Sequence, residues 1–209
     1  MEEKIITWKK RPFSWSQMSS FEYSPDQWYR KYYLGEKQKT SAEMEFGKEI
    51  GEKLASDPDF MPHIPRQKHM EYGVQVKLGD VELVGYFDSF NDLPEGVVYP
   101  LHEYKTGRKA WDQKRADNHG QITFYCLLLW LAKKIRPEQV LATIHWMPTE
   151  ESDQSFKDFM DGKRNIEFKK GGQVASFVTK RTMRDVLMFS ARINQTIKEM
   201  EDYIKLRNQ

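Results

Sequence analysis

The chain contains a single cysteine, Cys126, among its 209 residues, and its basic and acidic residues nearly balance. One cysteine excludes an intramolecular disulfide, a zinc site built from cysteine ligands and an iron–sulfur cluster within one chain. With 33 lysines and arginines against 31 acidic residues, the net charge of +2 excludes a polybasic tail. Charge alone therefore gives little indication of a polyanionic partner.

Long apolar runs are also missing from the chain. The longest, near residues 122–132, is shorter than the roughly 20 residues that a membrane-spanning helix needs. The first eleven residues contain no apolar segment of signal-peptide length. Charged residues make up 31% of the chain and aromatic residues 13%, which is typical of a folded, soluble protein. We therefore expect one soluble, cytoplasmic domain over residues 1–209.

Hydrophobic periodicity predicts a mixed α/β domain. An aromatic-rich helical part covers about residues 13–56, with a break before Pro25. A core over about 70–180 follows, whose strand patterns lie at 72–78, 81–90, 97–104 and 140–146. An apolar helix capped by Asp117 or Asn118 is predicted to run to Lys134. A hairpin is predicted from residue 165 to 178, and an amphipathic C-terminal helix over about 182–206.

Two carboxylates and a lysine on adjacent predicted strands are the most informative feature. Asp88 lies near the end of one strand, and Glu103 and Lys105 lie at the end of the next. Because side chains alternate along a strand, Glu103 and Lys105 share one face, and pairing through the 91–96 loop would bring Asp88 opposite Glu103. Oxygen ligands in this arrangement suit Mg²⁺ or Mn²⁺, and Lys105 could orient water or stabilise negative charge. An ordinary ion pair at a strand end would use the same residue types.

Gln121 and Tyr125 add a second pair on the predicted buried helix. They are four residues apart and therefore project from the same face near the start of the helix. The backbone N–H groups of that first turn could also bind a phosphate. Taken singly, each residue has a structural explanation, with Tyr125 as a core aromatic and Gln121 as a surface residue.

The ordered set of motifs resembles the PD-(D/E)XK nuclease superfamily, and within it the RecB-like exonucleases. In chain order, the segments similar to that group's second motif, third motif and helical Gln/Tyr motif are Gly85-x-x-Asp88, Glu103-Tyr104-Lys105-Thr106-Gly107 and Gln121-x-x-x-Tyr125. Each motif is modest alone, but their order and spacing together are specific.

The resemblance implies a restriction-endonuclease-like core, with a mixed central β-sheet flanked by helices, that cleaves DNA with a divalent metal. It implies Asp88, Glu103 and Lys105 as the catalytic set, with Gln121 and Tyr125 acting near the metal or the DNA strand. The metal ligands expected from it are Asp88, Glu103 and the backbone carbonyl of Tyr104. An exonuclease of DNA repair, recombination or processing fits this group better than a site-specific endonuclease.

Two positions depart from the pattern of that group. Gly51 stands where the first motif usually carries a metal-binding histidine, so Glu52 or Glu49 would have to supply the missing ligand. Glu52 is preferred because it lies nearer on the helical wheel, although a solvated helix face explains both carboxylates equally well. If neither substitutes, the protein is a weak nuclease or an inactive nuclease-fold module that binds nucleic acid. Ser24 stands where iron–sulfur members carry a cysteine, so no cluster is expected.

A locally basic segment over residues 104–115 supplies the candidate DNA contacts. Basic side chains beside an aromatic ring suit a single strand, through phosphate contacts and base stacking. The residues expected to contact DNA are Arg108, Lys109, Trp111, Lys114, Arg115 and His119. A solvated basic face is the alternative explanation for the segment, and a histidine at a helix start needs no ligand.

Overall fold

A mixed β-sheet with helices on both faces organises the part of the chain that the computed structural model describes, which is residues 11–37, 40–94, 97–153, 160–161 and 165–208. The strands are β1 (His69–Leu78), β2 (Val81–Phe90), β3 (Tyr99–Gly107), β4 (Val140–Ser152), β5 (Asn165–Phe168) and β6 (Ala175–Thr179). The helices are α1 (Trp15–Tyr23), α2 (Pro25–Trp28, continued by a π-helical turn over Tyr29–Tyr33), α3 (Ala42–Ser56), α4 (Gln113–Asp117), α5 (Gly120–Lys133) and α6 (Met183–Arg207).

The order of the strands places the ends of β2 and β3 beside each other. β1, β2 and β3 pair antiparallel in sequence, and β3 pairs parallel with β4 after a crossover through α4 and α5. The parallel register runs from Tyr99–Val140 to Gly107–Pro148. This mixed sheet, flanked by helices and followed by a long C-terminal helix, confirms the predicted fold class.

The hairpin predicted over residues 165–178 is wrong. β5 and β6 both run antiparallel to β4, as the pairs Thr149–Phe168 and Ala142–Thr179 show. The segment 169–174 is a turn between them, in which the Gly172 N–H donates to the Lys169 carbonyl at 2.8 Å. The physical reason is the length of β4, whose 13 residues extend to Ser152 and offer pairing positions to both short strands.

Two helices cover the face of the sheet that carries the larger core. α5 is buried nearly all round, as its composition predicts, and its sides pack on β1, β2 and α6. Gly85 of β2 permits this approach, because a Cβ there would lie only 2.6 Å from Cδ1 of Leu128. α6 begins at a capping box between Thr182 and Asp185 and buries the apolar stripe that its sequence predicts. Among the described residues, no helix has the length and apolar character needed to cross a membrane.

The opposite side of the sheet carries α3 and a smaller core. Ile50 and Leu54 of this helix pack with Ile64 and with Met147 of β4. Ser41 caps the helix by accepting from the Met44 N–H at 3.3 Å. Between α3 on one side and α5 on the other, the ends of β2 and β3 form the edge where the candidate site lies.

Candidate active site

The two predicted carboxylates meet where β2 and β3 part. The ladder between these strands consists of Ser89–His102 and Phe90–Leu101, and continuing that register brings Asp88 opposite Glu103. At this point the Tyr104 N–H donates to Oδ2 of Asp88 at 2.7 Å. A side chain thus accepts the hydrogen bond in the place where a strand carbonyl would normally do so, and the strands separate around the carboxylates.

Glu103 is the buried member of the pair. Its side chain is 1% exposed, and Oε1 accepts a hydrogen bond from Nζ of Lys105. Among the described residues, Oε2 has no hydrogen-bond partner. Burial, followed by repulsion from Asp88, raises the pKa of Glu103 to about 8. Leaving a buried carboxylate oxygen unpaired is costly, and a cation at this atom would remove that cost.

Lys105 connects the carboxylates to α5 through a chain of hydrogen bonds. Its ammonium donates to Glu103 and, at 2.9 Å, to Oε1 of Gln121. The Gln121 amide donates to the Tyr125 hydroxyl at 2.6 Å, and that hydroxyl donates to the Tyr86 carbonyl at 2.5 Å. Although burial favours the neutral amine, the nearby Glu103 and Asp88 carboxylates outweigh it and raise the pKa of Lys105, which keeps the side chain charged.

The chain of hydrogen bonds explains why Gln121 and Tyr125 occur four residues apart. Tyr125 is 4% exposed, and burial raises the pKa of its phenol well above the usual value, so that it stays a neutral donor. Gln121 presents one amide end to Tyr125 and the other to Lys105. The pair therefore fixes the position of the ammonium group, and the predicted catalytic set lies together in one cluster.

Glu71 of β1 belongs to the same cluster, although no sequence motif singles it out. The flanking pairs Met70–Ser89 and Tyr72–Phe87 put it across from Asp88, and its φ of 51° is left-handed. Burial, then repulsion from Asp88 and from Glu52 of α3, raises the pKa of its carboxyl. In sequence, Glu71 reads as an ordinary solvent-facing residue of a strand.

Two clefts meet at these carboxylates. The larger, of about 910 Å³, lies against α3, and the smaller, of about 500 Å³, lies among α1, β2 and α5. The residues that line both clefts are Glu71, Asp88, Tyr104 and Lys105. The charged cluster is therefore open to solvent from two sides, which is what an extended substrate would require.

The two carboxylates that the sequence offers on α3 differ in position. Glu52 lines the larger cleft and pairs with Lys48 at 3.5 Å. Glu49 pairs with Lys53 at 2.6 Å, and both of those side chains are about half exposed. Gly51 of α3 lies near the cluster, since a Cβ on it would be 3.9 Å from Oε1 of Glu71.

The aromatic residue expected to stack on DNA is in the core instead. Trp111 is 8% exposed, and the Arg115 guanidinium covers its ring at 4.1 Å. His119 meets the same ring edge-on at 5.0 Å. Burial, followed by the charge of Lys105, lowers the pKa of His119 to about 4, so this histidine is neutral. Its Nε2 lies 3.3 Å from Oε1 of Gln121, which makes it a neighbour of the cluster.

The other predicted DNA contacts lie at the surface. Lys109 and Lys114 are exposed. Arg108 is half exposed and forms ion pairs with Glu151 at 2.7 Å and with Glu43 at 3.6 Å. These side chains follow directly after the end of β3, so they lie close to the cluster along the chain.

Two further residues were not singled out by sequence. Tyr86 lines the smaller cleft with 61% of its side chain exposed. Arg181 is 4% exposed, although it belongs to a basic stretch that reads as surface. It donates to the carbonyls of Ala116 and His119, both at 3.1 Å, and thereby holds the start of α5 in place. The exposure of Tyr86 at the cleft and the hydrogen bonds of Arg181 are visible only in the three-dimensional structure.

Within the described part of the chain, no group of three or more His, Cys, Asp or Glu side chains is arranged to hold a metal ion. The chemistry of the cluster nevertheless fits a divalent cation. Glu71, Asp88 and Glu103 all have raised pKa values, each chiefly from burial. Lys105 supplies one positive charge against three carboxyls, and Oε2 of the buried Glu103 has no hydrogen-bond partner among the described residues.

Several solved structures match the chain, two of them at low sequence identity as follows. The crystal structure of SSO0001 is 12% identical, with a TM-score of 0.45, over 90% of this chain and 75% of that one. The protein from Eubacterium rectale named "Putative exonuclease" is 15% identical, with a TM-score of 0.37, over 89% of this chain and 65% of that one. A search of curated proteins found no match.

The architecture defines a class: a mixed sheet whose paired strand ends carry Asp88, Glu103 and Lys105 is the restriction-endonuclease-like nuclease fold. A family model for the PD-(D/E)XK nuclease superfamily matches residues 15–205, which is most of the chain. The chain therefore belongs to the PD-(D/E)XK nuclease superfamily.

Proposed function

We propose that this protein is a divalent-metal-dependent deoxyribonuclease that hydrolyses DNA phosphodiester bonds. The observation that carries the proposal is Oε2 of Glu103, a buried and unpartnered carboxylate oxygen beside Asp88 and Lys105. Such an atom is costly in a purely structural ion pair. In a site that binds a cation from solvent, the cation would supply the partner that Oε2 of Glu103 lacks.

Asp88, Glu103 and the backbone carbonyl of Tyr104 would hold the cation, with an α3 carboxylate such as Glu52 as a further candidate. Carboxylate and carbonyl oxygens favour Mg²⁺ or Mn²⁺ over softer metals. When bound, such an ion polarises a phosphodiester and makes an attacking water more acidic. Because Glu103 is buried, its interaction with the cation would be screened less by solvent than that of the exposed carboxylates.

The side chains around the cation site have separate tasks. Lys105, held charged by Glu103 and aimed by Gln121, orients the attacking water and stabilises negative charge on the phosphate. Tyr125 fixes Gln121 against the Tyr86 carbonyl, so that the ammonium keeps one position. Preorganisation of this kind lowers the barrier because no group has to move during the reaction.

The substrate is proposed to be DNA with an accessible single strand or a free end. Tyr86 is exposed beside the cluster and offers a stacking surface for a base, a role that buried Trp111 cannot fill without moving Arg115. Lys109 and Lys114 are exposed cations available to phosphates. Together with the order of the motifs, these features support an exonuclease of the RecB-like group that acts in DNA processing.

The proposal is tested by incubating end-labelled single- and double-stranded DNA with the protein in Mg²⁺, in Mn²⁺ and in EDTA. We expect cleavage with either metal, none in EDTA, and loss of cleavage in Asp88→Asn and Lys105→Met. Glu82→Gln is the matched control, because Glu82 is an exposed glutamate of β2 that lines neither cleft. Cleavage that persists in EDTA or in Asp88→Asn would contradict the proposal.

One observation favours a second candidate, a nuclease-fold module that binds nucleic acid without cutting it. Gly51 replaces the metal-binding histidine of the first motif, and the described side chains do not form a ready three-residue metal group. This module would bind DNA equally well in Mg²⁺ and in EDTA, and would take up no Mn²⁺ in calorimetry. Metal-dependent cleavage excludes it.

A further inference from the structure

Among the described residues, the Glu71 carboxylate has neither an ion pair nor a hydrogen bond, whereas the other acidic side chains near the site each have a polar partner, which for Asp88 is the Tyr104 N–H. Glu52 pairs with Lys48 and Glu49 pairs with Lys53. Glu103 contacts Lys105. Glu71, which is exposed and lines both clefts, is therefore the carboxylate that is available to a cation from solvent.

The position of Glu71 would be unfavourable without such a cation. The pairs Met70–Ser89 and Tyr72–Phe87 on either side place it opposite Asp88, and like charges opposite each other destabilise a sheet. Its φ of 51° is left-handed, which costs free energy in a residue other than glycine. Strained backbone of this kind persists where the surroundings impose it and is frequent at functional sites.

A second observation points to a ligand at the same place. Glu103 is 1% exposed, and its Oε2 has no partner among the described residues. Glu103 lines the smaller cleft together with Glu71 and Asp88. A buried unpartnered oxygen and an exposed unpaired carboxylate thus converge on one cleft from different strands.

The neighbouring helix leaves room for Glu71. Gly51 stands at the position where the resemblance leads one to expect a metal-binding histidine. A Cβ at Gly51 would be 3.9 Å from Oε1 of Glu71, so the glutamate reaches toward the space that a longer side chain at residue 51 would occupy.

We propose that Glu71 supplies the metal ligand that Gly51 cannot, and that it completes the divalent-cation site with Asp88 and Glu103. The inference rests on the proposed function, since it concerns the same cation. In this site Glu71, and not a carboxylate of α3, is the source of the missing ligand. Glu52, which is already paired with Lys48, then acts only through its charge.

The test is Mn²⁺ binding measured by isothermal titration calorimetry without DNA. We expect Glu71→Gln to raise the dissociation constant at least about tenfold, the lower end of what the loss of a metal-site partner typically causes. Glu52→Gln should change it less than about threefold. Glu82→Gln, an exposed glutamate on β2, is the matched control and should leave the constant unchanged.

Thermal unfolding in EDTA gives a second readout that does not depend on activity. Removing one of two facing charges should raise the melting temperature of Glu71→Gln by a few degrees, about what 1 kcal/mol produces in a chain of this size. The same variant should lose most of the stabilisation that Mn²⁺ gives the wild-type protein. A melting temperature in EDTA that is unchanged or lower would overturn the claim that the facing charges need a cation.

Asp88→Asn separates this inference from the proposed function. If Asp88→Asn abolishes Mn²⁺ uptake and Glu71→Gln binds like the wild type, the role of Glu71 is refuted while the metal site stands. If Glu52→Gln weakens binding and Glu71→Gln does not, the missing ligand comes from α3 and the inference is wrong. If Asp88→Asn binds Mn²⁺ as tightly as the wild type, the proposed function itself fails.

Discussion

Replacement of Gly85 by alanine tests how β2 and α5 hold the site together. The new Cβ would lie 2.6 Å from Cδ1 of Leu128 and 3.2 Å from Cε1 of Tyr125. Carbon atoms pack best at about 3.5–4.0 Å, so the buried Leu128 side chain has to repack or α5 has to move outward by roughly 1 Å. Because Tyr125 positions Gln121, that displacement also reaches the Lys105 ammonium.

The size of the effect follows from two opposing contributions. Overpacking a buried position costs typically about 1–3 kcal/mol. Alanine recovers roughly 0.5–1 kcal/mol because it loses less backbone entropy than glycine in a strand. We therefore expect the free energy of unfolding to fall by about 1–2 kcal/mol, which corresponds to a decrease in melting temperature of roughly 2–8 °C for a chain of this size.

Urea denaturation followed by circular dichroism measures this loss, with Gly73→Ala as the matched control. A Cβ at Gly73 would meet the Tyr86 ring at 3.1 Å, but that side chain is 61% exposed and can turn away. Gly73→Ala should therefore be nearly neutral. Equal stability of Gly85→Ala and the wild type, or a greater loss in Gly73→Ala, would refute the close-approach argument.

Three other outcomes are expected. Tyr125→Phe removes the hydroxyl that donates to the Tyr86 carbonyl and accepts from the glutamine, and should lower kcat at least about tenfold with little change in KM, as measured by steady-state cleavage. Arg181→Met leaves buried carbonyls at the start of α5 unpaired and should cost about 3 kcal/mol in urea denaturation. His102 and His145 should make stability depend on pH between about 4 and 6.5: burial lowers the pKa of each to about 4, so the unfolded chain binds protons first as the pH falls. Stability is then complete above about pH 6.5 and decreases by about 2 kcal/mol per histidine at pH 5.

Each of these outcomes has a result that would contradict it. Wild-type kcat in Tyr125→Phe would show that the hydrogen-bonded chain does not position the ammonium. An unchanged urea midpoint in Arg181→Met would show that the start of α5 is stable without the hydrogen bonds from Arg181. A flat stability profile from pH 7.5 to 5 would show that the two buried histidines can be protonated in the folded protein.

The core of the candidate site could be predicted because it depends on local rules. Strand alternation and a short connection bring Asp88 near Glu103 and Lys105, and helical periodicity aligns Gln121 with Tyr125. The structure brings these five residues together. None of these inferences required knowledge of distant packing.

The features that sequence reasoning missed depend on tertiary context. Glu71 reaches the cluster through the β1–β2 register and a left-handed φ, neither of which a glutamate in a strand pattern indicates. Trp111 lies in a basic segment and yet is buried beneath Arg115. The paired glycines at 171 and 172 are typical of a hairpin, but the length of β4 decides that the strands on both sides pair with it.

Anomalous diffraction from crystals of the protein grown with Mn²⁺ would locate the proposed cation directly. We expect one strong peak within coordination distance of the Asp88 and Glu71 carboxylates and of Oε2 of Glu103. The peak should disappear in crystals of Asp88→Asn. A well-ordered cluster without a Mn²⁺ peak at concentrations that support cleavage would contradict a cation site at Asp88 and Glu103. A Mn²⁺ peak found only elsewhere in the protein would contradict it as well.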